Sequence, residues 1–297
     1  MLPSFLLDEL KNEYGNNLTE KIVAGFKEKR PTTIRVNTIK ANDEKIEKEL
    51  TQNDIRFQKY FIPHSYIIEN NKQKIEELDI YKNGEVYLQS LSSMLPPIIL
   101  NPKSNTDILD MAAAPGGKTT QIAALTENEA HITACEMNTI RFERLKYNID
   151  KQGATSVYSM QIDSRKINPY FSFDQILLDA PCSGSGTLDF EDKNIEKIFT
   201  EELVDKSVKT QIQLLEKALR ILKPGKEMVY STCSILKKEN EEVLEKVLKK
   251  FNTEIIEIEL DSNINLPLLP TTIKGTICIC PNELYEGFFI AKIRKNY

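Results

Sequence analysis

The chain has 297 residues, of which 40% are hydrophobic and 28% charged, and a net charge of −5, values typical of a globular protein. No apolar run approaches the roughly 18 residues of a membrane span. The first residues lack the pattern of a secretory signal, so we expect a cytoplasmic protein. With only two histidines and five scattered cysteines without a CxxC pair, a histidine-based hydrolase or a metal site is disfavoured.

The first hundred residues predict a small α+β module. Residues 30–40 and 55–63 have the pattern of strands, and residues 41–53 have the pattern of a helix. We place the boundary at Pro96-Pro97, which divides the chain into residues 1–97 and 98–297. The module also contains a basic run, which predicts a local positive face on an acidic chain. Its members are Lys27, Lys29, Arg30, Arg35 and Lys40.

From residue 105 onward, short apolar runs alternate with longer amphipathic stretches. This alternation predicts a mostly parallel sheet covered by helices on both faces, as in Rossmann-like α/β domains. The predicted strands are 107–113, 131–137, 156–163, 174–180, 227–235, 253–260 and 287–295. The predicted helices are 118–126, 139–153, 205–225 and 237–251. We expect Pro224-Gly225 to end the third of these helices.

The first strand of this second domain leads into a loop of small residues, DMAAAPGGKT (110–119). Such a loop between a strand and a helix lets the backbone approach a ligand closely. The dinucleotide pattern GxGxxG is absent, and a P-loop would need a glycine where Ala112 stands. The loop therefore predicts a nucleoside-like ligand of another class.

Acidic residues follow the predicted strands. Asp110, Glu136, Asp163 and Asp179 come at the ends of four successive strands. Because the carboxyl ends of parallel strands meet at one edge of a sheet, we expect these side chains to face one ligand crevice. Glu136 is well placed to bind the two ribose hydroxyls of a nucleoside.

Two cysteines also follow apolar strands, Cys182 in DAPCSG and Cys233 in STCS. A lone cysteine in an apolar context is usually inert packing, but two at the ligand-bearing edge suggest chemistry. Carbon 5 of cytosine is a poor nucleophile, so a thiolate must first add to carbon 6. An acid must then act at ring nitrogen 3, and the thiol must finally leave. Two thiols and an aspartate supply these functions without histidine.

These motifs resemble the RNA cytosine-5 methyltransferase family of the Fmu/RsmB and Sun-domain type, in its short, archaeal-like tRNA methylase form. The matching stretches occur in order along the chain. They are RVNT (35–38), GEVYLQSLSSMLP (84–96), DMAAAPGGKT (110–119), LLDAPCSGSGT (177–187), YSTCSI (230–235), KENEEV (238–243) and EGFFIAKIRK (286–295).

The resemblance implies that S-adenosylmethionine is the cofactor. Its loop would consist of Ala112, Ala113, Ala114, Pro115, Gly116, Gly117 and Lys118. Glu136 would bind the ribose and Asp163 the adenine, and we expect Arg141 and Asp179 to contact the cofactor as well.

For the reaction, the resemblance implies that Cys233 is the nucleophile and that Cys182 assists release, with Asp179 and Lys118 facing the target base. DNA cytosine methyltransferases instead use the cysteine of the PC motif, so both assignments need to be tested. Residues 1–97 would form an RRM-like RNA-binding module and residues 98–297 the catalytic domain. We expect a monomer that acts on tRNA first and ribosomal RNA second, without a metal ion or a membrane.

Three other classes of protein share parts of this pattern. A nucleotide-hydrolysing P-loop protein would explain DQILLDAP as a strand with a magnesium-binding aspartate, but Ala112 and the two cysteine motifs argue against it. A non-catalytic RNA-binding module is disfavoured because Cys182, Cys233 and Asp179 are all present. An amino-nitrogen methyltransferase would carry Asn-Pro-Pro-Tyr where this chain has Asp-Ala-Pro-Cys.

Overall fold

The computed structural model describes residues 2–69, 72–189, 194–259 and 265–297. The helices are α1 (Ser4–Lys27), α2 (Asp43–Gln52), α3 (Lys72–Glu77), α4 (Asp79–Lys82), α5 (Leu91–Leu100), α6 (Gly117–Leu125), α7 (Thr139–Gln152), α8 (Ile195–Ile198), α9 (Glu201–Ile221) and α10 (Glu241–Leu248). The strands are β1 (Thr32–Val36), β2 (Arg56–Lys59), β3 (Ser65–Glu69), β4 (Val86–Leu88), β5 (Asp107–Asp110), β6 (His131–Cys135), β7 (Val157–Met160), β8 (Phe173–Asp179), β9 (Leu222–Thr232), β10 (Thr253–Ile256), β11 (Leu268–Leu269), β12 (Ile277–Ile279) and β13 (Phe288–Lys295).

The chain forms two compact units. A continuous unit consists of Pro31–Leu177, and a discontinuous unit consists of Met1–Arg30 together with Leu178–Tyr297. The domain boundary expected at Pro97 lies inside helix α5 and inside the continuous unit. The predicted division into residues 1–97 and 98–297 therefore does not coincide with these two compact units. As a division into functional domains, it stays a prediction.

An antiparallel sheet in the order β2-β3-β1-β4 opens the continuous unit. Ile34 in β1 pairs with Tyr66 on one side and with Leu88 on the other. Ile46 and Leu50 of α2 are fully buried and belong to the apolar core on this sheet. The predicted strands 30–40 and 55–63 and the helix 41–53 are confirmed. Strands β3 and β4 were not predicted, and β4 is too short at three residues to show an alternating pattern.

Parallel strands complete the continuous unit. Strand β5 pairs in parallel with β6 and with β8, and β6 pairs in parallel with β7. Helices α6 and α7 follow β5 and β6, as predicted. Asp110, the last residue of β5, lies beside Ala134 and Leu177 in the register. The parallel arrangement therefore brings the ends of these strands to one edge, as expected.

Antiparallel strands dominate the discontinuous unit. Strand β13 pairs antiparallel with β9, β10 and β12, and β11 pairs with β12. The strand 287–295 is confirmed, and the strand predicted over 253–260 is shorter, with Leu260 outside the described residues. None of the helices that the structure describes is long and apolar enough to cross a membrane.

The expected end of helix 205–225 at Pro224-Gly225 is wrong. Helix α9 ends at Ile221, and Leu222 is already extended, with ψ of 129°. Pro224 and Gly225 lie inside strand β9 instead. The physical reason is that a proline disfavours helical backbone at the residue before it, so the helix ends before the proline is reached.

Candidate active site

The glycine loop joins β5 to α6 through its backbone. The N–H of Ala113 donates to the carbonyl of Cys135 over 2.9 Å, and the N–H of Gly116 donates to the carbonyl of Ala113 over 2.8 Å. Gly116 has φ of 108°, a left-handed conformation that favours glycine. No side chain caps α6 at this residue. The N–H groups of the first turn lie at the positive end of the helix, which suits a negatively charged ligand group.

Glu136 and Arg141 lie together beside this loop. The Glu136 side chain is 4% exposed, and its Oε2 lies 3.5 Å from Nε of Arg141. Its Oε1 accepts the N–H of Asn138 over 2.8 Å. Arg141 also donates from Nη2 to the carbonyl of Ala114 over 2.9 Å. One arginine thus links the buried carboxylate after β6 to the loop after β5, and three of the predicted cofactor residues are brought together.

Asp163 has a different partner. Its carboxylate accepts hydrogen bonds from the Arg165 side chain and from the N–H of Arg165. The Arg165 side chain is the main reason that the pKa of Asp163 is lowered. Asp163 also caps the short 3-10 turn Ser164–Lys166. The predicted contact of Asp163 with adenine stays a prediction.

Lys118 lies in the first turn of α6, and its Nζ donates to Oγ of Ser93 over 2.8 Å. It belongs to the continuous unit, whereas Cys182 and Cys233 belong to the discontinuous unit. Its predicted place beside the target base therefore stays a prediction.

Cys182 and Cys233 form a close thiol pair in the discontinuous unit. Their Sγ atoms lie 3.1 Å apart, within hydrogen-bond distance, and both residues are partly buried. The hydrogen bond with Cys233, together with burial, raises the pKa of the Cys182 thiol well above its usual value. Cys182 therefore keeps its proton and can donate it toward the sulfur of Cys233.

Asp179 is held at the end of β8, three residues before Cys182. Its Oδ1 accepts a hydrogen bond from Oγ of Ser231 over 2.8 Å. The N–H of Ala180 donates to the carbonyl of the same serine, also over 2.8 Å. Ser231 is buried and lies two residues before Cys233. These bonds join the chain segments that carry the two thiols and hold the carboxylate of Asp179 at the end of β8.

Glu239 is a site residue that the sequence did not single out. It is fully buried, and its carboxylate accepts hydrogen bonds from Ser183, Ser234 and Gln211. The stretch KENEEV was noted for its resemblance, but a glutamate just before a helix is usually an exposed first-turn residue. Only the tertiary structure shows that this one faces the thiol loops.

Arg35 does not contribute to the positive face that was predicted, because its side chain is buried. Lys27, Lys29 and Lys40 are exposed, and the face itself stays a prediction. The exposed fraction of Arg35 is 3%, and it donates to Oε1 of Gln89 over 2.9 Å and to Oγ1 of Thr120 over 3.1 Å. Arg30 is also engaged, with its Nε donating to the carbonyl of Tyr285 over 2.8 Å. The sequence did not reveal the burial of Arg35, because an arginine that donates to buried partners and an arginine that is solvated look the same in a sequence.

The described part of the chain contains no group of three or more His, Cys, Asp or Glu side chains that could hold a metal ion.

Two family models match the chain. One, described as 16S rRNA methyltransferase RsmB/F, matches residues 97–294. The other, described as the ferredoxin-like domain of RsmF/B-like methyltransferases, matches residues 2–74.

Curated relatives match along nearly the whole chain. A probable ribosomal RNA small subunit methyltransferase B of Bacillus subtilis is 30% identical over 99% of this chain and 66% of its own length. A ribosomal RNA small subunit methyltransferase F of Vibrio parahaemolyticus is 32% identical over 100% of this chain and 64% of its own length. The chain thus spans just under two thirds of the length of these relatives.

A solved structure matches over the full length of both chains. The crystal structure of a methyltransferase homologue from Pyrococcus horikoshii is 31% identical, with a TM-score of 0.84, and the match covers 99% of this chain and 100% of that one. A likeness of this extent establishes the fold.

Proposed function

The chain belongs to the RsmB/F family of RNA methyltransferases, and from this premise we propose that it transfers a methyl group to carbon 5 of a cytosine in RNA. The family resemblance expected from the sequence motifs is confirmed. The Rossmann-like fold with a small N-terminal α+β domain is confirmed as well, the latter as a ferredoxin-like domain.

S-adenosylmethionine supplies the methyl group in a reaction of this class. The residues after β5 and β6 fit such a ligand by their chemistry. The start of α6 suits a carboxylate, since the helix presents N–H groups and positive potential there. The buried carboxylate of Glu136 suits a ribose, whose hydroxyl groups donate hydrogen bonds. We assign the loop from Ala112 to Lys118 and Glu136 to cofactor binding, with Arg141 holding both in place.

The observation that carries the proposal is the close thiol pair, because the sulfur of Cys182 lies 3.1 Å from the sulfur of Cys233. A thiolate is the reactive form of cysteine, and a thiol at this distance can donate a hydrogen bond to it. In our proposal, Cys233 of the TC motif is the nucleophile, as the family resemblance implies, and Cys182 is the thiol that donates to its sulfur.

In the proposed reaction, the Cys233 thiolate forms a bond to carbon 6 of the cytosine. The electrons of the carbon 5–carbon 6 double bond move to carbon 5 as ring nitrogen 3 takes up a proton from solvent, and Asp179 accepts a hydrogen bond from that N–H. Carbon 5 then takes a methyl group, which S-adenosylmethionine would supply by breaking its sulfur–methyl bond and leaving as S-adenosylhomocysteine. A solvent water molecule accepts the proton from carbon 5, which restores the double bond as the bond from carbon 6 to the Cys233 sulfur breaks, and nitrogen 3 returns its proton to solvent. Cys233 leaves as a thiolate, which the thiol of Cys182 stabilises by a charge-assisted hydrogen bond.

For the substrate, the names of the relatives favour small-subunit ribosomal RNA over tRNA, which the sequence predicted first. The target cytosine must leave its stack in either RNA, because a stacked base does not expose carbon 6 to a thiol. Ribosomal RNA is our first choice, and tRNA is an alternative outcome of the test.

The test is methylation of defined RNA with labelled S-adenosylmethionine. The parent chain and Cys233→Ala are incubated with small-subunit ribosomal RNA and with tRNA, both transcribed in vitro. Nucleoside analysis should find 5-methylcytidine in the ribosomal RNA with the parent chain only, and bisulfite sequencing should place it at one position. Methyl groups on an amino nitrogen, or methylation by Cys233→Ala equal to that by the parent, would overturn the proposal.

A further inference from the structure

One buried carboxylate joins the two loops that carry the thiols. Oε1 of Glu239 accepts the N–H of Ser183 over 2.7 Å, and Oε2 accepts the hydroxyl groups of Ser183 and Ser234 over 2.5 and 2.6 Å. Gln211 donates to Oε1 over 3.3 Å. Both oxygens of the carboxylate are thus engaged by donors from three segments of the chain.

The bonded serines occupy equivalent places in the two motifs. Ser183 follows Cys182 directly, and Ser234 follows Cys233 directly. Gln211 extends the connection, because its Nε2 also donates to the carbonyl of Pro181, the residue before Cys182, over 3.0 Å. Glu239 is therefore bonded to the residue after each cysteine, and through Gln211 it is linked to the residue before one of them.

Hydrogen bonds to the backbone of Glu239 and to its neighbour Asn240 fix the turn that carries the carboxylate. Its carbonyl accepts the hydroxyl of Tyr230 over 2.7 Å. Asn240 accepts the hydroxyl of Thr232 over 2.6 Å and donates to the carbonyl of Ser234 over 2.9 Å. The turn that carries Glu239 is thus tied to the same strand end that carries Cys233, which leaves the carboxylate little freedom to move.

Burying a carboxyl group disfavours folding unless hydrogen bonds replace its hydration. Here the replacing donors come mainly from the two thiol loops, so the arrangement couples the position of Glu239 to the position of both sulfur atoms. An apolar residue of the same size would leave Ser183 and Ser234 without these acceptors and the loops free to separate.

We propose that Glu239 is a positioning residue that holds the thiols of Cys182 and Cys233 at hydrogen-bond distance. The proposal deepens the proposed function and rests on it where it concerns RNA. Without Glu239, Cys182 no longer reaches the departing sulfur of Cys233, so release of the methylated RNA should slow more than attack. A misplacement of about 1 Å is enough to cost roughly 10²-fold in rate.

The first arm of the test needs no RNA. Phenylarsine oxide bridges two neighbouring thiols, forming two arsenic–sulfur bonds and releasing water. The parent chain should bind it at Cys182 and Cys233, as peptide mapping after binding would show. Glu239→Ala should bind it at least about tenfold more weakly, the factor that corresponds to 1.4 kcal/mol, and Glu239→Gln should restore most of the affinity. Glu241→Gln, a buried carboxyl on the adjoining helix, is the matched control and should bind like the parent.

The second arm measures the covalent adduct with RNA in the presence of S-adenosylmethionine. Glu239→Ala should accumulate adduct as Cys182→Ala does, and Glu239→Gln should accumulate less. Thermal unfolding is recorded for each variant. If Glu239→Ala does not fold, the variant with Ser183→Ala and Ser234→Ala takes its place, because it removes the two hydroxyl bonds to the carboxylate and keeps the carboxylate itself.

The two arms separate the possible failures. A folded Glu239→Ala that binds phenylarsine oxide as tightly as the parent overturns the positioning role, whatever the RNA result. A parent chain that does not bind the arsenical at this pair overturns it as well. If the parent and the variants bind phenylarsine oxide as expected but no RNA is methylated, the positioning of the thiols is supported and the proposed function is rejected.

Discussion

Cys182 and Cys233 lie with their Sγ atoms 3.1 Å apart although 51 residues separate them in the chain. The hydrogen bond with Cys233, together with burial, raises the pKa of Cys182. Either sulfur can be the donor at this distance, so the contact alone leaves the roles of nucleophile and helper interchangeable. The assignment of the nucleophile to Cys233 of the TC motif follows the family resemblance, and variants of the two cysteines distinguish it from the assignment found in DNA enzymes.

The first prediction concerns the different roles of the two thiols. Cys233→Ala should abolish both methylation and the covalent adduct, because the nucleophile is lost. Cys182→Ala should allow attack and block release, so a stable protein–RNA adduct should accumulate with S-adenosylmethionine. Denaturing gels with substrate RNA measure both. Cys280→Ala, a partly exposed cysteine outside the pair, serves as the control. An adduct from Cys233→Ala and none from Cys182→Ala would reverse the assignment.

The second prediction concerns the cofactor. Glu136→Ala should weaken S-adenosylmethionine binding by about 1–3 kcal/mol, the scale of lost charge-assisted hydrogen bonds. Titration calorimetry without magnesium measures the affinity. Glu143→Ala, an exposed acid on the same helix as Arg141, should bind like the parent. Tight binding of ATP with none of S-adenosylmethionine would contradict the assignment and favour a nucleotide-hydrolysing protein.

Local pattern was sufficient to predict the helices and strands that position the site. The runs at β5, β6 and β8 each precede a chemical motif, and the parallel pairing of these strands follows from the alternation of strand and helix. Cys182 and Cys233 were predicted as a pair because each follows an apolar strand. Their contact is real, and Asp179 lies at the end of the strand before one of them.

The features that the sequence did not predict are two buried charged residues. Glu239 lies in a polar stretch of the chain and Arg35 lies between two apolar residues, and both are buried with several hydrogen bonds. The periodicity of a sequence predicts which apolar side chains are buried. A charged side chain is buried only where hydrogen-bond partners surround it, and those partners lie far away in the sequence. Gln89, which binds Arg35, is 54 residues away from it, and no local pattern connects the two.

The third prediction follows from the burial of Arg35, which lowers the pKa of its guanidinium to about 10. Arg35→Met should reduce the free energy of unfolding by about 1–3 kcal/mol, because Gln89 and Thr120 lose a buried donor. Urea unfolding measures the change. Lys29→Met, at an exposed position, should unfold like the parent. Parent-like stability of Arg35→Met combined with weaker RNA binding would support a direct role of Arg35 in docking instead.

The last prediction is a pH dependence of stability from Glu13 in α1. Its carboxyl oxygens accept the N–H of Lys237 over 3.0 and 3.2 Å, and burial raises its pKa from 4.5 to about 8. A raised pKa in the folded state means that the folded protein holds the proton more tightly than the unfolded chain does. The stabilising contribution of Glu13 is therefore fully present below pH 4.5 and is lost as the pH rises through about 8.

Urea unfolding between about pH 5 and pH 9 should accordingly show the free energy of unfolding falling with pH, by a few kcal/mol at most from this group. Glu13→Gln should flatten the slope, because glutamine does not titrate. Part of the slope should remain, since burial also raises the pKa of Glu241. Glu20→Gln, at an exposed position of the same helix, should keep the slope of the parent. Equal slopes for the parent and Glu13→Gln would show that Glu13 is ionised in the folded protein throughout this range.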